Sequence, residues 1–396
     1  MIQARTAFTN EIDDVAIAVE EITRQLETAG SYKKHTIGLL NAYAEYVESG
    51  VVSALASALP FDIIGTTTLG TWTKDSDILE SLTLTVLTSD DVFFQKGLTE
   101  PISGEDESII LSAYENAVAE AQASGNVNQE KPALILSYAP LLMNTGGDFF
   151  IQAMDKASGG IANFGTVSVD HTPDYSQCRV FYNDKIYTDR YAFMLIFGDI
   201  VPKFFVASVS SESILAKTGL VTAASGNQIQ TINDNTVSDF LVSLGLTKDE
   251  NDMIIGTNTY PFIVDYNDGT APIARVIFAI TPEGYAVCGG NIPIGATMSV
   301  GTIDKPSVLS TTEAEIRALA ATENASVAII FSCVGRYFTM GYEPQKEAEL
   351  IHDILGQTNI SFNITYSGGE ICPMKHNDSD AYANRFHNDS LIACIF

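Results

Sequence analysis

Near-continuous apolar runs along the chain predict strands that are buried on both faces. The clearest runs are "ALILSY" at 133–138 and "VAIIFSC" at 327–333. Such runs are typical of parallel strands, because βαβ crossovers cover both faces of the sheet with helices. The stretch "ESLTLTVLT" at 80–88 instead alternates leucine with threonine, which is typical of an antiparallel strand with one covered face. The pattern therefore predicts an α/β fold of mixed β-sheets flanked by helices.

The same order of elements occurs three times along the chain. Each copy has a buried strand, a helix, a second strand interrupted by small residues and a closing strand. The first copy is "TIGLLNAYAEYV", "GVVSALASALP", "FDIIGTTTLG" and "ESLTLTVLT". The second copy is "PALILSYAPLL", "GGDFFIQAMDKA", "GGIANFGTVSV" and "RYAFMLIFGD". The third copy is "SVAIIFSCVGR", "EPQKEAELIHDIL", "ISFNITYSGGE" and "DSLIACIF". Gly65, Gly165 and Asn363 take corresponding positions. The interval from Gly165 to Asn363 is about twice the interval from Gly65 to Gly165, so we expect about a hundred residues of other material to interrupt or precede one copy.

The material between the second and third copies has a different pattern. Residues 221–246 predict a hairpin with a Gly-Asn turn, followed by a helix capped by Asn or Asp. A helix over 311–323 begins with "STTE", which matches a capping box. We therefore predict an N-terminal helix within 1–30, a first domain over 31–207 that holds two units, and a related second domain over 208–396.

Charge and composition argue against several classes of partner. Lysine and arginine total 21 residues against 49 aspartates and glutamates, a net charge of −28 that opposes binding to nucleic acid or anionic lipid. No apolar run reaches the length of about 18 residues that a membrane helix needs, and the N-terminus turns acidic where a signal peptide would be apolar. We expect a cytoplasmic protein without membrane insertion.

Scattered cysteines and histidines give no sign of a metal or a disulfide framework. The five cysteines are widely spaced and include no CxxC pair. The two glycine-rich stretches, "GTTTLG" and "YSGGE", lack the glycine spacing of a dinucleotide or phosphate site, and a tight bend explains the glycines in both. We therefore predict neither a metal nor an organic cofactor.

Polar residues follow the third copy's strands where those strands are expected to end. In α/β sheets, ligands bind in the crevice at the carboxyl ends of the strands. Cys333 and Arg336 follow one strand, Glu370 follows the next, and His387 precedes the last strand. The predicted ligand-binding residues are Cys333, Arg336, Tyr366, Glu370, His387 and Asn388. No residue is predicted to be catalytic.

Two interpretations of these side chains stay open. Arg336 could bind a ligand carboxylate or phosphate with its planar fork while Glu370 accepts from an amine, which would suit an amino acid. Alternatively, Arg336 and Glu370 pair with each other. Cys333 is either a small buried side chain or a thiol activated by the neighbouring cation.

Several motifs in this sequence resemble the FIST family. Residues from about Val221 to Phe396 resemble the FIST C-terminal domain through "ASGNQIQTIN", "YPFIV", "NIPIGATMSVG", "IIFSCVGR", "YSGGEICP" and "RFHNDSL", and residues from about Ile37 to Val206 resemble the N-terminal domain through "IIGTTTLG". The resemblance implies FIST domains over 31–207 and 208–396. It also implies a bacterial sensory module that binds a small ligand such as an amino acid. The sequence carries no recognisable kinase, cyclase or F-box segment, so we expect a signal to pass by contact with a partner protein.

Three functional hypotheses follow. The leading one is a non-catalytic sensory protein whose ligand is an amino acid or a small carboxylate. The alternative is a Cys- or Ser-dependent hydrolase or transferase in which Cys333 attacks and His387 takes the proton. The third is a scaffold whose acidic surface binds a basic protein.

Overall fold

Three mixed β-sheets, each built around one repeated unit of the chain, form the body of the molecule. The structure is a computed structural model that describes residues 2–76, 78–250, 254–257 and 259–396. Both the predicted mixed α/β class and the internal repeat are confirmed.

The first unit occupies the N-terminal segment. Its elements are β1 (Gln3–Thr9), α1 (Val15–Thr28), β2 (His35–Ala42), α2 (Glu45–Glu48), α3 (Val51–Ala58), β3 (Asp62–Thr67), β4 (Thr71–Thr73) and β5 (Leu82–Ser89). Strands β2 and β3 are parallel, and β5 lies antiparallel between β1 and β2. Asp14 caps α1 by accepting hydrogen bonds from two backbone amides. Residues 1–30, predicted as a helix, thus hold a strand as well as a helix.

The second unit repeats this order. Its elements are β6 (Phe93–Leu98), α4 (Glu107–Ala123), β7 (Leu134–Ala139), α5 (Gly147–Ser158), β8 (Asn163–Val167), β9 (Val180–Tyr182), β10 (Lys185–Tyr187) and β11 (Ala192–Phe197). Strands β7 and β8 are parallel, and β11 lies antiparallel between β6 and β7. Every residue of β7 is buried, as its continuous apolar run predicts.

The third unit is interrupted after its first strand. That strand is β12 (Lys203–Ala207), and the insertion that follows is a β-sheet with its own apolar core. The elements of the insertion are β13 (Gly219–Ser225), β14 (Gln228–Ile232), β15 (Asn235–Thr236), α6 (Val237–Ser243), β16 (Phe262–Asp265), β17 (Ile273–Arg275), β18 (Ile277–Ile280), β19 (Ala286–Cys288) and β20 (Thr297–Val300).

After the insertion, the third unit resumes with the same order as the other two. Its remaining elements are α7 (Lys305–Ala320), β21 (Val327–Cys333), α8 (Val334–Thr339), α9 (Lys346–Leu355), β22 (Ser361–Ser367), β23 (Glu370–Lys375), β24 (Tyr382–His387) and β25 (Leu391–Ile395). Strand β25 lies antiparallel between β12 and β21. The predicted domain boundary at 207/208 therefore separates β12 from the strand with which it pairs, and this division stays a prediction.

Two predicted helix caps are wrong. Helix α6 is capped by Thr236, whose hydroxyl accepts from the Asp239 amide. Helix α7 begins earlier than predicted, because Asp304 and Ser307 form its capping box. The "STTE" stretch therefore lies inside the helix, where Thr311 donates to the Ser307 carbonyl.

Each unit contributes a strand to the sheet of another unit. Strand β9 of the second unit pairs with β3 of the first, β23 of the third pairs with β8 of the second, and β4 of the first pairs with β22 of the third. These pairings close a cycle, so the three sheets enclose a shared apolar core to which β2, β7 and β21 all contribute. No helix in the described ranges is long and apolar enough to cross a membrane.

The cyclic pairing corrects one predicted equivalence. The amides of Thr67, Val167 and Tyr366 each donate to a carbonyl just before the contributed strand. Gly65, Gly165 and Ile364 each lie two residues before these amides, so Ile364 takes the position of the two glycines. The prediction of Asn363 is therefore wrong by one residue. The third copy carries a large side chain where the other two carry glycine, so its sequence has no marker at this position.

Candidate functional site

The carboxyl ends of β3, β8 and β22 meet near the centre of the molecule. The Thr68 hydroxyl donates to the Tyr366 carbonyl over 2.7 Å, which joins the first unit to the third. The hydroxyls of Thr166 and Ser367 are 2.6 Å apart, which joins the second unit to the third. Cys333 lies opposite Ser367 in the parallel pair β21 and β22. The predicted crevice at the carboxyl ends is thus a meeting point of three units.

Arg336 is held by several of its protein neighbours. Its Nε and Nη2 lie 2.9 and 2.8 Å from Oε1 of Glu347, and both side chains are buried. Nη2 also donates to the hydroxyl of Thr312 and to the carbonyl of Val308. The predicted pairing of Arg336 with an acidic residue therefore occurs with Glu347 and not with Glu370.

Glu347 was not identified from the sequence, although a signal for it exists. It shares the buried face of α9 with Ile351, Ile354 and Leu355. An acidic residue within the apolar stripe of an amphipathic helix needs a buried partner. Ser332 supplies a further hydrogen bond to Glu347 over 2.7 Å.

Glu370 and Asp389 form a buried acidic pair at this centre. Both carboxylate oxygens of Glu370 lack a hydrogen-bond partner within the described part of the chain, and so does Oδ2 of Asp389. Burial first, and then the charge of Asp389, raise the pKa of Glu370 well above its usual value, although the Ser367 hydroxyl and the Cys333 thiol lie close enough to oppose the rise, as does the charge of Arg336. Burial also raises the pKa of Asp389 to about 6.

Asp389 is the second residue that sequence reasoning missed. It adopts a left-handed backbone conformation with φ of 51° in the turn between β24 and β25. Left-handed residues other than glycine are uncommon and cluster at functional sites. A weak signal for it was its position in "HNDS", next to two residues that were predicted.

His387 is a buried, neutral imidazole. Burial and then the charge of Arg275 lower its pKa to about 3. Nε2 lies 3.2 Å from the Cys372 carbonyl, so Nε2 carries the proton and donates, while Nδ1 has no partner among the described residues. His387 lies directly opposite Glu370 in the antiparallel pair β23 and β24. Its Nδ1 is therefore an acceptor near the buried acidic pair.

Asn388 and Tyr366 face other neighbours. Asn388 donates to the His387 carbonyl over 3.0 Å and accepts from the Val276 amide of the insertion over 3.4 Å. The Tyr366 hydroxyl donates to the Pro344 carbonyl over 3.4 Å. Both side chains are buried, so their contacts in this structure are structural.

Cys333 is a buried thiol without an activating neighbour. Burial first, and then the charges of Glu370 and Asp389, raise its pKa well above the usual value. Within the described residues, no hydrogen bond joins its sulfur to His387. The structure thus provides no contact between the nucleophile and the base that the hydrolase hypothesis needs.

Half-buried aromatic side chains from all three units lie close to one another or to residues of this region. Tyr43 of the first unit stacks on His171 of the second at 4.6 Å. Tyr337 of the third unit packs edge-on against Tyr366 at 5.0 Å. Tyr175, with φ of 53°, has its pKa raised by burial first and also by the nearby Cys333. Tyr43, His171, Tyr175 and Tyr337 are half-buried, and we call them the aromatic rim.

Models of known protein families match most of this chain. The model of the FIST N domain matches residues 36–235, and the model of the FIST C domain matches residues 238–373. The chain belongs to the FIST family. FIST domains are sensory domains, in agreement with a role in signal transduction. In this FIST protein, Cys333, Arg336, Tyr366 and Glu370 lie within the FIST C match, whereas His387 and Asn388 follow it.

Comparisons with solved structures and with curated proteins give no information about function. The crystal structure of cyanuric acid hydrolase from A. caulinodans aligns with 100% of the FIST chain and 99% of its own, at 10% sequence identity and a TM-score of 0.36. A likeness at this level carries no argument about function. A search of curated proteins finds no match.

One cavity of this FIST protein is lined by neither Glu370 nor Asp389. It has a volume of about 510 Å³ and lies between α5, β24 and the insertion, where Asp148, Tyr266 and Arg385 line it. Across the described ranges, no cluster of three or more His, Cys, Asp or Glu side chains could hold a metal ion.

Proposed function

We propose that this FIST protein is a non-catalytic sensory protein that binds a small ligand at the acidic centre, defined as Cys333, Glu370, His387 and Asp389. The observation that carries the proposal is the set of buried acceptors without partners on three of these residues. Buried polar groups are nearly always hydrogen-bonded, because an unpaired group loses its hydration without compensation. A ligand that donates hydrogen bonds would supply the missing partners.

The location also supports this proposal. The acidic centre lies where the carboxyl ends of strands from three units meet, which is the usual binding position in α/β sheets. A ligand there contacts the turn at Asp389 and the end of β21 together. We propose that ligand binding alters these loops and that a partner protein reads the change by contact.

Arg336 takes a different role from the one expected for a ligand-binding arginine. Its guanidinium is held by Glu347 and Thr312, and Nη1 lies 3.5 Å from the Asp389 carbonyl. Arg336 is therefore a positioning residue for the turn at Asp389. Of the predicted ligands, an amino acid retains support through its amino group, whereas a small carboxylate has no free cation to bind here.

Thermal unfolding against a library of amino acids, amines and carboxylates tests the proposal. A ligand that binds only the folded protein raises stability by RT ln(1 + [L]/Kd), about 2.7 kcal/mol at a hundredfold excess over Kd. We expect a shift of several degrees that is lost in Glu370→Gln. The matched control is Glu212→Gln, because Glu212 is exposed. Turnover of an amide or ester by the purified protein, abolished in Cys333→Ala, would refute the non-catalytic proposal.

A further inference from the structure

We propose that the acidic centre selects a protonated primary amine in preference to the corresponding amino acid. This inference rests on the proposed function and names the ligand class of the same site. The groups left without partners are the two oxygens of Glu370, Oδ2 of Asp389 and Nδ1 of His387. With its carboxylates ionised the centre offers acceptors alone, and an ammonium group has three N–H donors and no acceptor.

Among the described residues, the basic side chain whose charge reaches this centre is already paired with an acidic residue. Arg336 is the basic residue whose charge acts on both Glu370 and Asp389, and its guanidinium is already bound to Glu347. A carboxylate brought to this centre would meet two acidic side chains, which repel it whenever they are ionised.

The basic groups near His387 are also occupied. Arg275 donates to the Phe386 carbonyl and to Tyr266, and it pairs with Asp148. Arg385 pairs with Asp268. Each guanidinium is therefore already paired with a carboxylate, and Nε of each is left without a partner among the described residues.

The surroundings favour a cation with an apolar body. Half-buried rings of the aromatic rim, such as Tyr175 beside Cys333, can attract a cation and pack against a hydrocarbon chain. The net charge of −28 raises the local concentration of cations around the protein. Both effects act against an anionic ligand.

Gly335, at the half-buried start of α8, lies directly against the carboxylate of Asp389. A Cβ atom at Gly335 would overlap Oδ1 of Asp389, so only glycine leaves the carboxylate in its present position. The substitution Gly335→Ala therefore displaces Asp389 without removing a charge. It is an independent probe of the acidic centre.

Isothermal titration of the full chain with matched pairs tests the inference. The pairs are 1,4-diaminobutane with ornithine and 2-phenylethylamine with phenylalanine, each differing by one carboxylate. We expect one amine at least to bind at least tenfold more tightly than its amino acid. Glu370→Gln, Asp389→Asn and Gly335→Ala should each weaken amine binding at least tenfold, whereas Glu212→Gln should leave it unchanged.

Proton release on binding provides a second test of the inference. Because burial favours protonated Glu370, binding of an ammonium group should release protons, and the measured heat should depend on the ionisation enthalpy of the buffer. A proton release that disappears in Glu370→Gln supports the inference.

The possible failures are distinguishable. If the amino acids or small carboxylates bind more tightly than the amines, and Glu370→Gln abolishes that binding, the ligand class is wrong and the proposed function stands. If an amine binds equally to the parent, Asp389→Asn and Gly335→Ala, the amine site lies elsewhere and the inference fails. If no compound of any class binds, both fail.

Discussion

Arg336 and Glu347 form a buried ion pair in which Nη2 and Oε1 are 2.8 Å apart, and both side chains are almost completely excluded from solvent. The pair joins α8 to α9 directly behind the acidic centre. Thr312 donates to Glu347 and receives a hydrogen bond from Arg336, so α7 belongs to the same network. Three helices of the third unit are therefore held together by one group of polar side chains.

We predict that breaking this ion pair is strongly destabilising. Arg336→Met and Glu347→Gln should each lower the free energy of unfolding by about 3–5 kcal/mol, because each leaves a buried polar partner uncompensated. The double variant Arg336→Met/Glu347→Gln should cost less than the sum of the two single variants. Urea denaturation measures all three.

The control for this experiment is an exposed ion pair elsewhere in the unit. Arg317 and Glu313 lie one helical turn apart on α7, with both side chains largely exposed. Arg317→Met should cost about 0.5 kcal/mol or less. Equal losses for Arg336→Met and Arg317→Met would contradict the structural role of the buried pair.

We predict that the thiols of the native protein are unreactive. All five cysteines are buried, and burial raises the pKa of Cys333, Cys372 and Cys394 well above the usual value. A chromogenic disulfide reagent at pH 8 should titrate close to none of them in the folded protein and all five in denaturant. Rapid modification that is lost in Cys333→Ala would instead favour the hydrolase hypothesis.

We predict a pH-dependent stability difference between the parent and Asp389→Asn. The folded pKa of Asp389 is raised to about 6 from 3.8, so the protonated form stabilises the fold. That contribution is present below about pH 4 and is lost as the pH rises through 6, on the order of 3 kcal/mol in all. The parent should therefore lose stability relative to Asp389→Asn over this range.

Unfolding curves at several pH values between 4 and 7.5 measure this difference. His387, with its pKa lowered to about 3, has the opposite effect, since its contribution is lost as the pH falls below 6.5. His387, Arg336, Cys333 and Glu370 are present in both proteins, so their effects on stability largely cancel in the difference. The pKa of Glu370 should nevertheless fall when the charge of Asp389 is removed. A constant stability difference between the proteins over this range would show that Asp389 titrates normally.

We predict that Gly65 tolerates no side chain. A Cβ atom at Gly65 would overlap the Leu40 carbonyl oxygen on the neighbouring strand β2, and that backbone atom cannot move without breaking the parallel pair. Gly65→Ala should cost about 3 kcal/mol or more. Gly104→Ala is the control, because a Cβ atom there meets nothing within 4 Å. Matching melting temperatures for the two variants would contradict the prediction.

Much of the architecture could be predicted from the sequence because its signals are local. Periodic apolar runs identified β7, β21 and β5, and repetition of one order of elements identified three units and the interruption. The family follows from motifs of consecutive residues, such as "IIFSCVGR". Each of these features depends on residues close together in the chain.

Tertiary structure decided the features that depend on distant residues. The cyclic exchange of β4, β9 and β23 joins segments up to about three hundred residues apart, and no local pattern specifies which sheet edge a strand completes. The choice of Glu347 over Glu370 as the partner of Arg336 depends on how α9 packs on the sheet. The protonation of Cys333 and Asp389 depends on burial, which packing alone determines. The sequence therefore pointed to Cys333, Glu370 and His387 but not to Asp389, and the packing of three units determined which partners each side chain has.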